Sequence, residues 1–207
     1  MFRDVNLINA IQAEVKMQES EIFDPSGIDD WREWLAENHL TKQSVWLVCY
    51  NKQSGRKSIT WSESVDVALC YGWIDSKKIK IDEERSQQFF SKRKAKGTWS
   101  QINKLKIEQL IEQGLMMEAG YKSIEVAKLN GSWEILDSVE QLLLPQDLSD
   151  EFQRNPIAKM YYDNLSKSSK KMILQKLVFA KRPETRQKYI NELVDIASQN
   201  LQGTPIK

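Results

Sequence analysis

Three acidic side chains are the first candidates for chemistry. Glu63 and Asp66 stand three apart in TWSESVDVALCYG, and Asp75 follows in WIDSKKIKID. Carboxylates that share a pocket can divide acid and base work between them, as in glycoside hydrolysis. Such pairs also line ordinary solvated helix faces, and no nucleophile or metal ligand is visible in the sequence to complete a site. The single histidine, His39, lies in ENHLTK with no second histidine or cysteine at ligand spacing, which fits a helix-end residue. Cys49 and Cys70 sit inside the apolar runs VWLVCY and VALCYGW, where a thiol packs as a small hydrophobe. Two such cysteines make no disulfide framework. Glycine-rich nucleotide loops and GxSxG are absent, so the sequence calls for no cofactor and no metal.

Positive charge offers a different chemistry. From Lys77 to Lys96 the chain carries eight Lys/Arg against three acids, with Trp73 before the stretch and Trp99 after it. Arg85 and Arg93 with these two indoles would make an anion-binding surface on which a planar ligand stacks. The alternative is a solvated edge hairpin whose lysines discourage edge-to-edge pairing. Alternation along WIDSKKIK is imperfect. Lys78 and Lys80 fall on one side together with Ile74, and Lys77 falls on the other with Ile79 and Ile81. A second basic candidate is FAKRPETRQKY. Arg182 and Arg186 bracket a helix start whose free N–H groups suit a phosphate or carboxylate. Equally, Glu184 satisfies that first turn while Arg186 reaches an acid on a neighbour.

The elements that must position these residues follow from periodicity. Val5, Ile8, Ile11 and Val15 predict a leading amphipathic helix over 4–18. Trp31, Trp34 and Leu35 share one face of a second helix, with Asp24 or Ser26 as its cap. SVWLVCY reads as a strand, followed by a basic turn at Lys52–Lys57. Thr60 or Ser62 caps the helix that ends at Gly72, and WIDSKKIKID and SQQFFSKR read as two strands around DEER. Helices follow from Ile102 to Gly114 and through YKSIEVAKLNG. LLLPQDLSDEFQRNP reads as a loop with one helical turn near Leu148–Phe152. Three more helices close the chain, with Pro156 and Pro183 in first-turn positions. The fold class is α+β: a helical extension over 1–21, a core with a small antiparallel or mixed sheet over 22–145, and a helical part over 146–207 packed on it.

Composition bounds the function. Among 207 residues 41% are hydrophobic and 29% charged, an ordinary globular balance. The net charge of +1 argues against nucleic acid as a partner and places any electrostatic function in local asymmetry. Residues 1–44 hold four basic and nine acidic side chains, whereas 167–188 hold eight basic and one acidic. No segment approaches 18 apolar residues and the first residues lack the apolar core of an export signal, so the sequence reads as cytoplasmic.

Four stretches resemble the bacterial YdeI/OmpD-associated proteins, also labelled bacteriocin-protection proteins. They are residues 45–76 with the ALCYGWIDS block, 89–116, the weaker GSWE at 131–134, and LSKSSKKMILQKLVFAKRPETRQKYI at 165–190. In the second, Arg93, Trp99, Ser100 and Asn103 match the family's Arg, Trp, Ser and Asn. Ser91-Lys92 stands where the family has Thr-Pro, and Ala95 and Gly97 replace a proline and a serine. The resemblance implies protection against bacteriocins or cationic peptides and implies no reaction. It leaves two readings of the site, beside a third in which the basic stretches Lys77–Lys96 and Lys167–Lys188 make the chain a weak nucleic-acid or polyanion binder. One is a protein that acts by binding a small anionic ligand or a protein partner. The other is an enzyme for a small polar substrate, with Asp75, Arg93, Trp99 and Asn103 lining a pocket. Asp75 is expected to be held by Arg85 or Arg93.

Overall fold

The β-branched and aromatic run SVWLVCY becomes an inner strand of a four-stranded mixed sheet in the computed structural model, which describes residues 20–201. The expected helix over 4–18 lies outside the described residues. Two compact units are present. The first contains the described residues up to Gly97 together with Ile102–Asn130; the second contains Thr98–Gln101 and the chain from Gly131 onward. The architecture is α+β, with strands in the first unit and a helical C-terminal part.

In the first unit the strands β1 (Ile22–Phe23), β2 (Ser44–Tyr50), β3 (Trp73–Lys80) and β4 (Arg85–Lys92) lie in the order β1-β2-β4-β3. β1 runs parallel to β2, and the other pairings are antiparallel. Val45 and Phe90 are cross-strand partners, and Trp31 packs on Phe90 with ring centroids 5.3 Å apart. Trp31 belongs to α1 (Ile28–Asn38), whose Trp34 stacks on Trp31 at 5.3 Å and meets Trp73 edge-on at 5.8 Å. Such aromatic pairs add about 0.5–1.5 kcal/mol each beyond the area they bury. The Trp31 indole also donates to Ser64 O at 3.0 Å, tying α1 to α2 (Trp61–Cys70).

Local chemistry sets the ends of these helices. Thr60 and Glu63 form a reciprocal capping box at the start of α2. α1 begins at Gly27 without a side-chain cap, and neither Asp24 nor Ser26 takes that place. Instead the Ser26 N–H and hydroxyl both donate to Asp30. After α2 the chain reverses at Gly72, whose φ of 71° no bulkier residue adopts easily; a Cβ there would also lie 2.8 Å from Ala119 O.

β3 contains a bulge. Asp75 pairs with Phe90 and Lys78 with Gln88, so three residues of β3 span two of β4. One extra residue reverses the side-chain alternation, which accounts for the broken pattern of Ile74, Lys78 and Lys80. Two helices complete the first unit, α3 (Gln101–Glu112) and α4 (Glu118–Leu129).

The second unit holds α5 (Asp137–Glu140), α6 (Gln146–Arg154), α7 (Pro156–Asp163), α8 (Lys167–Phe179) and α9 (Pro183–Leu201). The segment expected as a loop with a single turn is the nine-residue α6, because Leu148 and Phe152 form one buried stripe on a common core. That core also takes Tyr162, Leu174, Leu177 and Leu193. Pro156 and Pro183 do open helices, and Asn155 and Ser166 cap α7 and α8 through their side chains.

Candidate functional site

The bulge in β3 places Asp75 where it collects polar partners. Its Oδ2 accepts from the Trp61 indole N–H at 2.9 Å and from the Gln88 amide at 3.2 Å. Gln88 is buried, whereas Trp61 keeps half of its surface exposed at the start of α2. Asp75 is therefore held by Trp61 and Gln88, and the expected hydrogen-bonded clamp by Arg85 is corrected. Arg85 bonds Asp82 across the hairpin turn instead, at 2.7 Å. That pairing lowers the Asp82 pKa and raises that of Arg85. Arg93 is half-buried, and loss of solvation lowers its pKa to about 10, opposed in part by the field of Asp75. Its backbone N–H closes the strand end on Gly72 O at 3.0 Å.

The indoles expected as stacking platforms are interior groups. Trp73 is 0% exposed, with its N–H directed at His39 O at 3.4 Å. Trp99 is 2% exposed and packs on Trp133 within the second unit, with centroids 4.9 Å apart. Neither offers a face to a ligand, so the basic stretch lacks the stacking surfaces that the anion-binding reading required. Asn103 lies half-buried on α3 in the first unit.

The other carboxylates of the sequence trio have local duties. Glu63 accepts from the Thr60 N–H at 2.8 Å, and that bond lowers its pKa. Asp66 is bonded by Lys106, which also donates to Ser62 at 2.8 Å, so α3 is tied to α2 by one ammonium group. The trio does not converge on one pocket: each carboxylate answers a different donor. His39 sits at the C-terminal end of α1, its Nδ1 2.8 Å from Leu35 O. Burial pushes both thiols, Cys49 and Cys70, above the usual value, which leaves them protonated at neutral pH.

In the second unit Arg186 is fully engaged. Its Nε and Nη2 grip both oxygens of Asp147 on α6, and its Nη1 donates to Leu177 O. The fork holds the Asp147 carboxyl below its ordinary range. Of the two sequence alternatives for this helix start, the neighbour-acid arrangement is the one present; Arg186 is not held open for a phosphate. Arg182 is exposed, and its carbonyl accepts from the Arg186 N–H. A second tie, Lys171 to Glu140, joins α8 to α5. Two shallow pockets share Tyr161: one of about 90 Å³ lies between α7, α8 and α9, and one of about 160 Å³ between α7 and α9. Their walls are mainly Ile157, Met160, Ile173 and Leu193, with Lys176, Glu192, Asn164 and Asn200 as polar members.

Residues 141–200 match the family model described as Bacteriocin-protection, YdeI or OmpD-Associated. That stretch is similar to the YdeI/OmpD-associated domain. A separate match, to a domain of unknown function (DUF8412), covers residues 24–123. The resemblance read at 165–190 thus falls inside the bacteriocin-protection match, whereas the blocks at 45–76 and 89–116 fall inside the other. The bacteriocin-protection description thus belongs to the model matched by the helical stretch, whereas Asp75 and Arg93 lie in the stretch similar to the domain of unknown function. No curated protein and no solved structure matches the chain.

Sequence reasoning missed Trp61, Gln88, Lys106, Glu140 and Asp147 as partners. Gln88 alone left a signal. A Gln inside SQQFF, in register with Leu47 on an apolar face, calls for a buried polar partner.

Proposed function

We propose that this protein is a bacteriocin-protection-like factor that acts in the cytoplasm by binding and not by catalysis. The observation that carries this reading is the composition of the concave surface inside the family match. Between α7 and α9 the walls are Ile157, Met160, Tyr161 and Leu193, and the polar groups beside them form no nucleophile–base pair. A shallow apolar groove with an adaptable Met on its rim suits an amphipathic segment of a peptide or protein. The first unit supports the same reading, since Glu63, Asp66 and Asp75 are each occupied by a separate structural bond. Protection then belongs to antimicrobial resistance and the stress response, through sequestration of the harmful peptide or shielding of its target.

The test is a deletion strain compared with its parent across a panel of bacteriocins and cationic peptides. Increased killing of the deletion strain, reversed by the wild-type chain, is expected. Equal sensitivity across the whole panel removes the protection reading.

A further inference from the structure

The free edge of the sheet offers a second interaction surface, distinct from the helical groove. β3 is an edge strand, and Ile81 N–H donates to Arg85 O at 3.0 Å where the hairpin closes. That bond makes Ile81 and Arg85 a hydrogen-bonded pair. Counting back through the register Lys80↔Ser86, Ile79↔Gln87 and Lys78↔Gln88, Lys80 and Lys78 are non-hydrogen-bonded pairs. Their N–H and C=O groups therefore point away from β4, off the free edge. Among the described residues nothing donates to or accepts from these four groups. The side chains of Lys77, Lys78 and Lys80 are exposed; Lys80 reaches the exposed Glu83 of the hairpin turn at 2.6 Å, and Lys77 and Lys78 have no ion-pair partner among the described residues.

A second copy of this strand is a poor occupant, because antiparallel pairing would set lysine against lysine. A strand carrying carboxylates is the complement. We propose that the Lys78–Lys80 edge of β3 takes an acidic segment in extended conformation, added antiparallel as a fifth strand. Side chains directly opposite Lys78 and Lys80 share their face, so the segment places its carboxylates there. Its alternate residues lie beside Ile79 and Ile81, where apolar β-branched side chains fit. The bulge at Asp75–Lys78 ends the regular edge on one side and the hairpin turn ends it on the other. Only a short segment pairs, and the interaction is weak and salt-sensitive.

The probe is a fluorescein-labelled peptide of four Glu-Val repeats, titrated with the full chain by anisotropy at low and high salt. Two further peptides carry N-methyl groups, one on every Glu and the other on every Val. Residues opposite Lys78 and Lys80 direct their N–H at β3, so methylation of the Glu set abolishes binding. Methylation of the Val set leaves affinity within about threefold, since those N–H groups face solvent. Lys78→Glu with Lys80→Glu weakens binding by at least about tenfold. No binding of the parent peptide at low salt overturns the proposal. Equal binding of the two methylated peptides also overturns it, because attraction of charge alone does not depend on backbone direction.

Discussion

Gly120→Ala is expected to destabilise the first unit, against the usual direction of that exchange in a helix. Gly120 lies in the first turn of α4, where alanine ordinarily gains up to about 1 kcal/mol. Here the added Cβ would stand 2.3 Å from Cys70 O, 2.9 Å from Cys70 C and 2.7 Å from Met116 Cε. The methionine end can swing away. The carbonyl cannot, because Cys70 O also accepts the Met117 N–H at 3.1 Å, which fixes the end of α2 against the start of α4. Relief requires a shift of about 1 Å between two packed backbones. Overpacking of this kind costs about 1–3 kcal/mol, and a backbone collision belongs at the upper end. After subtracting the helix gain, a net loss of about 2 kcal/mol remains. For a chain of this size that lowers the melting temperature by about 4–8 °C. Thermal melts followed by tryptophan fluorescence check it, with Gly27→Ala as control because no atom of the described residues lies within 4 Å of a Cβ there. Adding Met116→Ala should not restore stability. A Gly120→Ala protein as stable as the parent refutes the close approach of α2 and α4.

Other expectations follow from single bonds. The Tyr162 hydroxyl is buried with no hydrogen-bond partner among the described residues, so Tyr162→Phe should be neutral or stabilising by about 1 kcal/mol in urea titration; a loss above that value contradicts the packing described. Asp75→Ala strands the buried Gln88 amide and should cost about 1–3 kcal/mol, whereas Asp75→Asn, which keeps an accepting oxygen, should cost less. Arg186 holds the folded Asp147 pKa below its unfolded value, so this pair contributes fully above about pH 4 and its contribution fades as pH falls through the folded pKa. Asp147→Asn should therefore lower the urea midpoint at pH 7, and the loss relative to the parent should shrink as pH falls below about 4.

What the sequence disclosed was mostly local. Thr60 three residues before Glu63 announces the capping box, and Pro156 and Pro183 announce helix starts, because each effect acts within one turn. The broken alternation of WIDSKKIK marked a real bulge. The nine residues of α6 escaped notice for the same local reason. Pro145 precedes them, Asn155-Pro156 follows, no side chain caps their start, and only Leu148 and Phe152 mark a buried face. Partners distant in sequence were not legible. Asp75 sits 14 residues from Trp61 and 13 from Gln88, and Asp147 lies 39 from Arg186. No spacing rule selects such pairs, so Arg85 looked as good for Asp75 as Trp61 and Gln88, which hold it. Trp73 and Trp99 carried the same ambiguity, since a tryptophan beside lysines reads alike whether it faces solvent or fills a core.

Complementation of the deletion strain by two variants tests the central claim most directly. Met160 is 52% exposed on the groove rim, so Met160→Glu should fold while spoiling an apolar binding surface. Asp75→Asn removes the one carboxylate that a catalytic reading of the first unit needs. The account predicts that Asp75→Asn restores bacteriocin survival to the wild-type level and that Met160→Glu does not. Full protection by Met160→Glu together with loss of protection by Asp75→Asn, both expressed at equal soluble levels, would contradict it.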